Sequence, residues 1–483
     1  MNRKMIGKVL GFLLLLECVF LLPPALISAL DGEWVALRAF FTVMVFGAAV
    51  GGILSALCRK EAGSFYAREG FLIVSLGWIV LSMVGALPFW LSGEIPHYVD
   101  AVFEVISGFT TTGASILINV EGLSRGMLFW RSFTHWLGGM GILVFLLAIV
   151  PMGEGGYSVH LLRAESPGPS VSKLVPKMRQ TAAILYLLYI ALTVLCVVFL
   201  LAGGMPLFDS LCTSFGTAGT GGFGIKNDSM AGYSPYLQTV CTVFMALFGV
   251  NFSVYFLVLI GRFKQALFNE ELGVYLSIFF GSIAIITTNI YPLYGSIRGA
   301  LHDAAFTVSS IMTTTGFATA DFNLWPQLSR TILVMLMIVG ACAGSTGGGI
   351  KCARLLLLGK SLNARIRQML HPRSVNLIQV DGATVDEETI QGVNTYMAAY
   401  CAIAVVSVLI LSLDNLSLET NVTAMLACLN NIGPGLDLVG PTSNYAHFSD
   451  LSKIVLMFNM LLGRLEIFPL LVMLSPRTWR KAN

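Results

Sequence analysis

Charge is what this sequence has least of. Only 11 % of its 483 residues are Asp, Glu, Lys or Arg, whereas about a quarter of an ordinary soluble chain is charged. Too few polar side chains are present to cover a soluble surface of this size. Cysteine supplies no framework either. The nine cysteines include no Cys-x-x-Cys pair, and Cys196, Cys241, Cys342 and Cys401 stand alone in apolar stretches as small hydrophobes. The six histidines are dispersed, so neither a disulfide scaffold nor a zinc site is supported. The glycine run ending at Gly349 lacks the order of a phosphate-binding loop. No acid–base or nucleophile constellation is visible, which excludes an enzyme and leaves no organic cofactor to expect. The basic stretch with Arg365, Arg367 and Arg373 has no aromatic company, which argues against nucleic acid as a partner.

What fills the chain is apolar. Hydrophobic residues make up 56 % and the mean hydropathy is +0.79, the composition of a chain that lives in a bilayer, where each span needs about 20 apolar residues. Basic clusters at Arg3-Lys4-Lys8, Arg59-Lys60-Arg68, Lys173-Lys177-Arg179, Arg262-Lys264, Arg354 through Arg373 and Arg477-Arg480-Lys481 fall at every second end of the apolar segments. The intervening turns hold acids such as Asp31, Glu94, Asp228, Asp321, Asp414 and Asp437. This alternation predicts a multi-pass protein with both termini and the basic loops in the cytoplasm. The opening stretch imitates a secretory signal, but its apolar run from Ile6 to Leu30 is longer than a signal core and a second span follows at once.

Four times an apolar span, a short Thr/Gly-rich segment and a second apolar span recur. The short segments centre on Thr110-Thr111-Thr112-Gly113, Gly219-Thr220-Gly221-Gly222, Thr313-Thr314-Thr315-Gly316 and Asn430-Asn431-Ile432-Gly433. The expected organisation is an accessory pair of spans in residues 1–68 and repeats in 69–175, 176–268, 269–385 and 386–483. Second spans are expected near 127–150, 236–261 and 452–474, with a hairpin or loop at 375–389 and a proline-rich cytoplasmic connector around 151–176. Between paired spans, stretches such as 100–112 are too short to cross a membrane yet apolar enough to sit in one, which suggests a half-helix followed by an extended loop. Asp100, Asp209 and Asp303 each precede the first loop position by ten residues, with Thr420 in the fourth unit. There they are expected to cap the half-helices. The fold class is therefore an all-α polytopic membrane protein with four helix–loop–helix units around one pseudo-fourfold axis.

A dehydrated alkali cation asks for several oxygens at once, which rings of backbone carbonyls supply. Glycine reaches the φ values that turn consecutive carbonyls toward one axis, and Gly113, Gly222, Gly316 and Gly433 hold the same place in the four units. The candidate cation-binding set is Thr110, Thr111, Thr112 and Gly113; Thr220, Gly221 and Gly222; Thr314, Thr315 and Gly316; and Asn431, Ile432 and Gly433. Phe223 and Phe317 are expected to pack behind it. In the third unit a glycine-rich run interrupts the second span, and Gly344, Ser345, Thr346, Gly347, Gly348, Gly349 and Lys351 are read as an intramembrane gating loop. Arg464, costly inside the last span, is expected to meet carbonyls of that loop. Arg330 and Lys453 read as interfacial anchors.

These loops, the run Ala343–Lys351 and Gly463-Arg464-Leu465-Glu466 resemble the TrkH/TrkG branch of bacterial potassium-uptake proteins, in the wider family with the Ktr membrane subunits and plant HKT transporters. The resemblance spans essentially the whole chain. It implies K+ as the transported and bound ion, a lipid-embedded homodimer in the bacterial inner membrane, and a cytosolic nucleotide-binding regulatory partner of the TrkA type. It also implies that Gly113, Ser in sodium-permeating relatives, favours potassium. The second loop departs from the Thr-Thr-Thr-Gly form. The competing reading is a symporter coupling K+ to Na+ or H+ through Asp100, Glu104, Asp209 and Asp303.

Overall fold

The computed structural model describes residues 3–58, 67–141, 178–373 and 377–479. The proline-rich connector, several basic residues of the charge alternation and the far end of the first repeat's second span lie outside the described residues. Among those described, six helices are long and apolar enough to cross a membrane, or seven if one bent pair is counted as a span. The accessory pair, Arg3–Leu30 and Trp34–Leu57, packs through Gly11 and Gly51. A Cβ on either would lie 2.8 Å from the other's carbonyl oxygen, the close approach that small residues allow between membrane helices. This pair rests against the first span of repeat one, Ala67–Ser92, where Gly77 meets Leu13. The first spans of the other repeats are Met178–Ala202, Glu270–Tyr294 and Glu387–Leu411.

Each repeat then carries a half-helix: Tyr98–Phe109, Leu207–Ala218, Ile297–Met312 and Leu418–Leu429. Their carboxyl ends are almost wholly buried. The aspartates do not cap them. The N-cap positions are His97, Pro206, Ser296 and Ser417, and only the two serines accept a hydrogen bond there. Asp100 and Asp209 stand inside the first turn and Asp303 deeper still, because each half-helix begins earlier than expected. Their carboxylates reach sideways instead: Asp100 pairs with Lys453 at 2.6 Å, Asp209 accepts from the Tyr233 hydroxyl at 3.1 Å, and Asp303 from Thr319 at 3.0 Å. Lys453 is thus a buried partner, not an interfacial anchor, and Arg330 pairs with Glu419.

Two of the expected continuous second spans are broken as well as the interrupted third. Pro235–Phe248 and Phe252–Leu259 meet at an 88° bend, where Asn251 caps the second piece by accepting from the Ser253 N–H at 2.9 Å. Gln327–Val339 ends at Gly340, whose φ of 65° suits glycine alone, and the chain resumes as Cys352–Leu370. Asp450–Arg464 and Phe468–Leu474 are separated by Glu466 and Ile467 with φ of 52° and 69°. Pro469 opens the last piece, where its missing N–H costs no helical bond. The first repeat's inner helix, Arg125–Gly139, stops at the matching place. The segment expected to be a hairpin or loop contains a two-stranded antiparallel hairpin, Gln379–Val380 with Ala383–Thr384.

Candidate functional site

The four short loops share one backbone. Their second residues all lie in the left-handed region, with φ of 55° at Thr111, 53° at Thr220, 60° at Thr314 and 55° at Asn431. So do their fourth, with φ of 78°, 71°, 85° and 96° at Gly113, Gly222, Gly316 and Gly433. The N–H groups of the first three residues all turn back onto their own half-helix: in the first loop Thr110, Thr111 and Thr112 donate to Ile106, Gly108 and Ser107, and the other loops repeat this pattern. Donors are thereby consumed behind the loop and carbonyl oxygens are left in front. A Cβ on Gly113 would lie 1.9 Å from the Gly221 oxygen, one on Gly222 1.9 Å from that of Thr315, one on Gly316 2.2 Å from that of Ile432, and one on Gly433 2.7 Å from that of Thr112. Each loop abuts the next in chain order and the fourth abuts the first. The loops form a closed ring.

Buried carbonyls usually have a donor. Among the described residues, protein donors reach only two carbonyls of these four loops: Gly219 O, from the Thr220 hydroxyl at 2.6 Å, and Gly433 O, from the Tyr445 hydroxyl at 2.6 Å. The other loop carbonyls have no protein donor among the described residues, and the loops that carry them are buried.

The bracing behind the loops differs. In the first and third, hydroxyls of Thr110 and Thr112, and of Thr313 and Thr315, bond each other at 2.8 Å. The first of each pair also donates to its half-helix. In the second loop the ring of His135 fills this space, 2.4 Å from where a Gly221 Cβ would stand, and its Nδ1 accepts from the Phe223 N–H at 3.4 Å. In the fourth, the Asn430 amide donates to Leu426 O and the Tyr400 hydroxyl, and the Asn431 amide to Thr112 Oγ1 and Met460 O. Phe223 and Phe317 are buried behind the loops as expected.

Glu104 is committed elsewhere than a moving ion. Its carboxylate accepts from Arg131 Nε at 2.6 Å, from Ser115 Oγ and from the Ile116 N–H. Arg131 also donates to Gly224 O at 2.8 Å and lies 3.5 Å from the Phe223 ring centroid. This pair ties the exit of the first loop to that of the second. The sequence reading passed over Arg131 and His135, although an arginine within an apolar span was the available signal.

Below the ring lies the glycine-rich segment. Gly348 donates its N–H to Thr314 Oγ1 at 2.7 Å, and a Cβ there would stand 2.4 Å from Asn430 O; one on Gly347 would stand 2.9 Å from Thr313 O. The segment therefore presses on the inner end of the third and fourth loops. Ser345 closes on Cys342 O at 2.6 Å, Thr346 donates to Phe248 O, and Lys351 donates to Gly347 O. Gly344 and Gly349 have φ of 70° and 74°. Arg464 meets the segment at Thr346 O, 3.1 Å away, and also reaches Thr111 Oγ1 at 3.3 Å, Gly139 O at 2.7 Å and Gly138 O. Glu271, another residue missed from sequence, accepts from the N–H groups of Ala343 at 2.6 Å and Ala353 at 3.0 Å, fastening both ends of the segment. Glu466 pairs with Arg354. At the opposite end of the ring all four loop glycines line an outer cavity of about 130 Å3.

A family model described as TrkH, cation transport protein, matches residues 36–481. The Trk system potassium uptake protein TrkH of Salmonella typhimurium is 37 % identical over 492 residues, covering 100 % of both chains. The Trk system potassium uptake protein TrkG of Escherichia coli is 32 % identical over 483 residues, covering 99 % of each. The crystal structure of the potassium transporter TrkH from Vibrio parahaemolyticus matches with a TM-score of 0.89 and 32 % identity, covering 99 % of this chain and 100 % of that one.

Proposed function

The chain belongs to the TrkH family of potassium-uptake membrane proteins, a transporter and not an enzyme, and on that premise we propose that it conducts K+ inward through the ring of four loops. The observation that carries this reading is the stack of carbonyls without protein donors, held by backbone that repeats at all four positions. Oxygen dipoles without fixed negative charge bind a dehydrated cation while still releasing it. The half-helices point their carboxyl ends at the ring, which adds negative potential where a cation would sit.

The segment Gly344–Gly349, with Lys351 and Arg464, is the gate in this proposal. It sits against the inner end of the ring, and two cations, the buried Lys351 and the partly buried Arg464, hold it there. A cation at that place also opposes the passage of K+ until the segment moves. Both relatives are Trk system potassium uptake proteins. For this chain we infer a homodimer in the inner membrane, regulated by a cytosolic TrkA-like nucleotide-binding subunit, with the charge alternation supporting cytoplasmic termini. The symport reading is weaker because Asp100, Glu104, Asp209 and Asp303 are each engaged with Lys, Arg, Tyr or Thr partners.

Cation flux into vesicles holding the purified chain, under K+, Rb+, Na+ and Li+ gradients, tests the proposal alongside Gly113→Ser. Preference for K+ and Rb+ that weakens in the variant is the expected result. Flux indifferent to residue 113, or a reversal potential that follows a co-ion at fixed stoichiometry, would sink it.

A further inference from the structure

The outermost carbonyls of the four loops are not equivalent. Those of Gly113, Gly222 and Gly316 receive no protein donor among the described residues, whereas that of Gly433 accepts the Tyr445 hydroxyl at 2.6 Å. Tyr445 follows the fourth loop, lines the outer cavity beside the four glycines and is only 2 % exposed. Four contacts fix its position. Its N–H donates to Ser115 O, beyond the first loop, at 2.8 Å. Its ring lies 5.7 Å from that of Phe103 and 5.9 Å from that of Phe448. Cys428, on the fourth half-helix, lies against its hydroxyl. A carbonyl can only accept, so the phenolic proton is directed to Gly433 O.

We propose that Tyr445 sets the strength of the outermost cation site by engaging one of its four oxygens. This inference rests on the carbonyl-ring reading above. A carbonyl that already accepts a short hydrogen bond offers less negative potential to a cation, and its direction is fixed by the donor. An ion arriving from outside therefore meets three unencumbered oxygens at the rim. One residue inward, at Thr112, Gly221, Thr315 and Ile432, none of the four oxygens has a protein donor among the described residues. Affinity rises inward. Such a gradient lets a partly hydrated ion enter without being held at the mouth, which conduction through several sites requires.

Tyr445→Phe keeps the ring and both aromatic contacts while removing the proton. It frees Gly433 O, and a neutral hydrogen bond corresponds to about a two- to tenfold change in an equilibrium. Substituting a fluorinated tyrosine at 445, a stronger donor, has the opposite effect. The experiment measures Rb+ uptake against external Rb+ in vesicles holding the full chain, together with Rb+-induced thermal stabilisation of the purified protein. Half-saturation falling in Tyr445→Phe by about two- to tenfold and rising with the fluorinated residue, with the stabilisation following, supports the proposal. Cys428→Ala, which leaves the phenol proton in place, keeps the wild-type value. Half-saturation unchanged in both Tyr445 forms, or shifted in the same direction by both, overturns it and leaves the residue a packing element. Wild-type vesicles that fail to distinguish K+ and Rb+ from Na+ would instead overturn the carbonyl-ring reading itself.

Discussion

The first and third loops reach their backbone by one route, the second and fourth by two others. In the former pair, threonine hydroxyls at the first and third positions bond each other and the half-helix behind them, all within one local stretch. The second loop has glycine at both positions and borrows the imidazole of His135 from the preceding repeat. The fourth uses asparagines, one bonded to Tyr400 of its own first span and the other to Thr112 of the first loop. Yet φ at the second position stays within 53° to 60° in all four. The ring constrains the backbone, and the side chains behind it are free to solve the bracing problem separately.

The largest effect is expected where the loops agree. A methyl on Gly222 would stand 1.9 Å from Thr315 O, at a φ of 71°. Gly222→Ala is expected to lower K+ uptake by about tenfold or more, from left-handed strain of roughly 1–2 kcal/mol plus the clash. Equal flux at equal protein in the vesicle assay would show that the second loop does not share the geometry of the first.

Next come the braces that differ. Arg131→Leu would leave the Glu104 carboxylate buried without its cation, and loss of one partner of a buried pair costs about 3–5 kcal/mol. A clear drop in thermal stability of the purified protein is expected. Adding Glu104→Gln should recover much of it, and no recovery would mean that Arg131 acts through Gly224 and Phe223 instead. His135→Leu removes the acceptor of the Phe223 N–H and is expected to reduce K+/Na+ discrimination by about fivefold, the scale of one hydrogen bond. Thr315→Val in the third loop should cost the same or less, because Thr313 keeps its bond to Ser309 O. A larger loss in Thr315→Val would reverse the proposed ranking of the two braces.

The three routes also explain what the sequence made visible. Glycine at the fourth position was legible because left-handed backbone selects it, and the ring followed from four matched glycines. The left-handed threonines were not legible, since a β-branched residue disfavours that region and only the surrounding ring holds Thr111, Thr220 and Thr314 there. The broken second spans of the second and fourth repeats were not legible because a single glycine such as Gly249 or Gly463 within an apolar run is no break signal by itself. Gly463 does pack closely, its Cβ direction ending 2.1 Å from Leu429 O, while the break itself falls at Glu466 and Ile467, which carry no turn signal. His135, Arg131, Glu271 and Tyr445 act on residues far from them in sequence, so no local pattern announces their role. The aspartates misled for a related reason: their spacing repeats, but their partners come from other elements.

Those aspartates sharpen the comparison once more. The fourth half-helix has Thr420 where the others have Asp, and its carboxylate comes from Asp437 beyond the loop, which accepts from Thr420 Oγ1 at 2.7 Å and from Ser417 Oγ. The Ser417 hydroxyl, then that of Thr420, hold the Asp437 carboxyl below its ordinary value, with the Arg330 charge adding to them. A depressed folded-state pKa contributes stability that is fully present above the unfolded value of about 3.9 and is lost as pH falls through the folded one. Asp437→Asn suits the left-handed φ of 58° at this position, which asparagine tolerates, so the change isolates the charge. The variant should melt slightly lower than wild type at neutral pH, and the gap should close only below about pH 4. A gap that persists unchanged to low pH would mean that Asp437 holds the fourth half-helix by shape alone, as a neutral acceptor would.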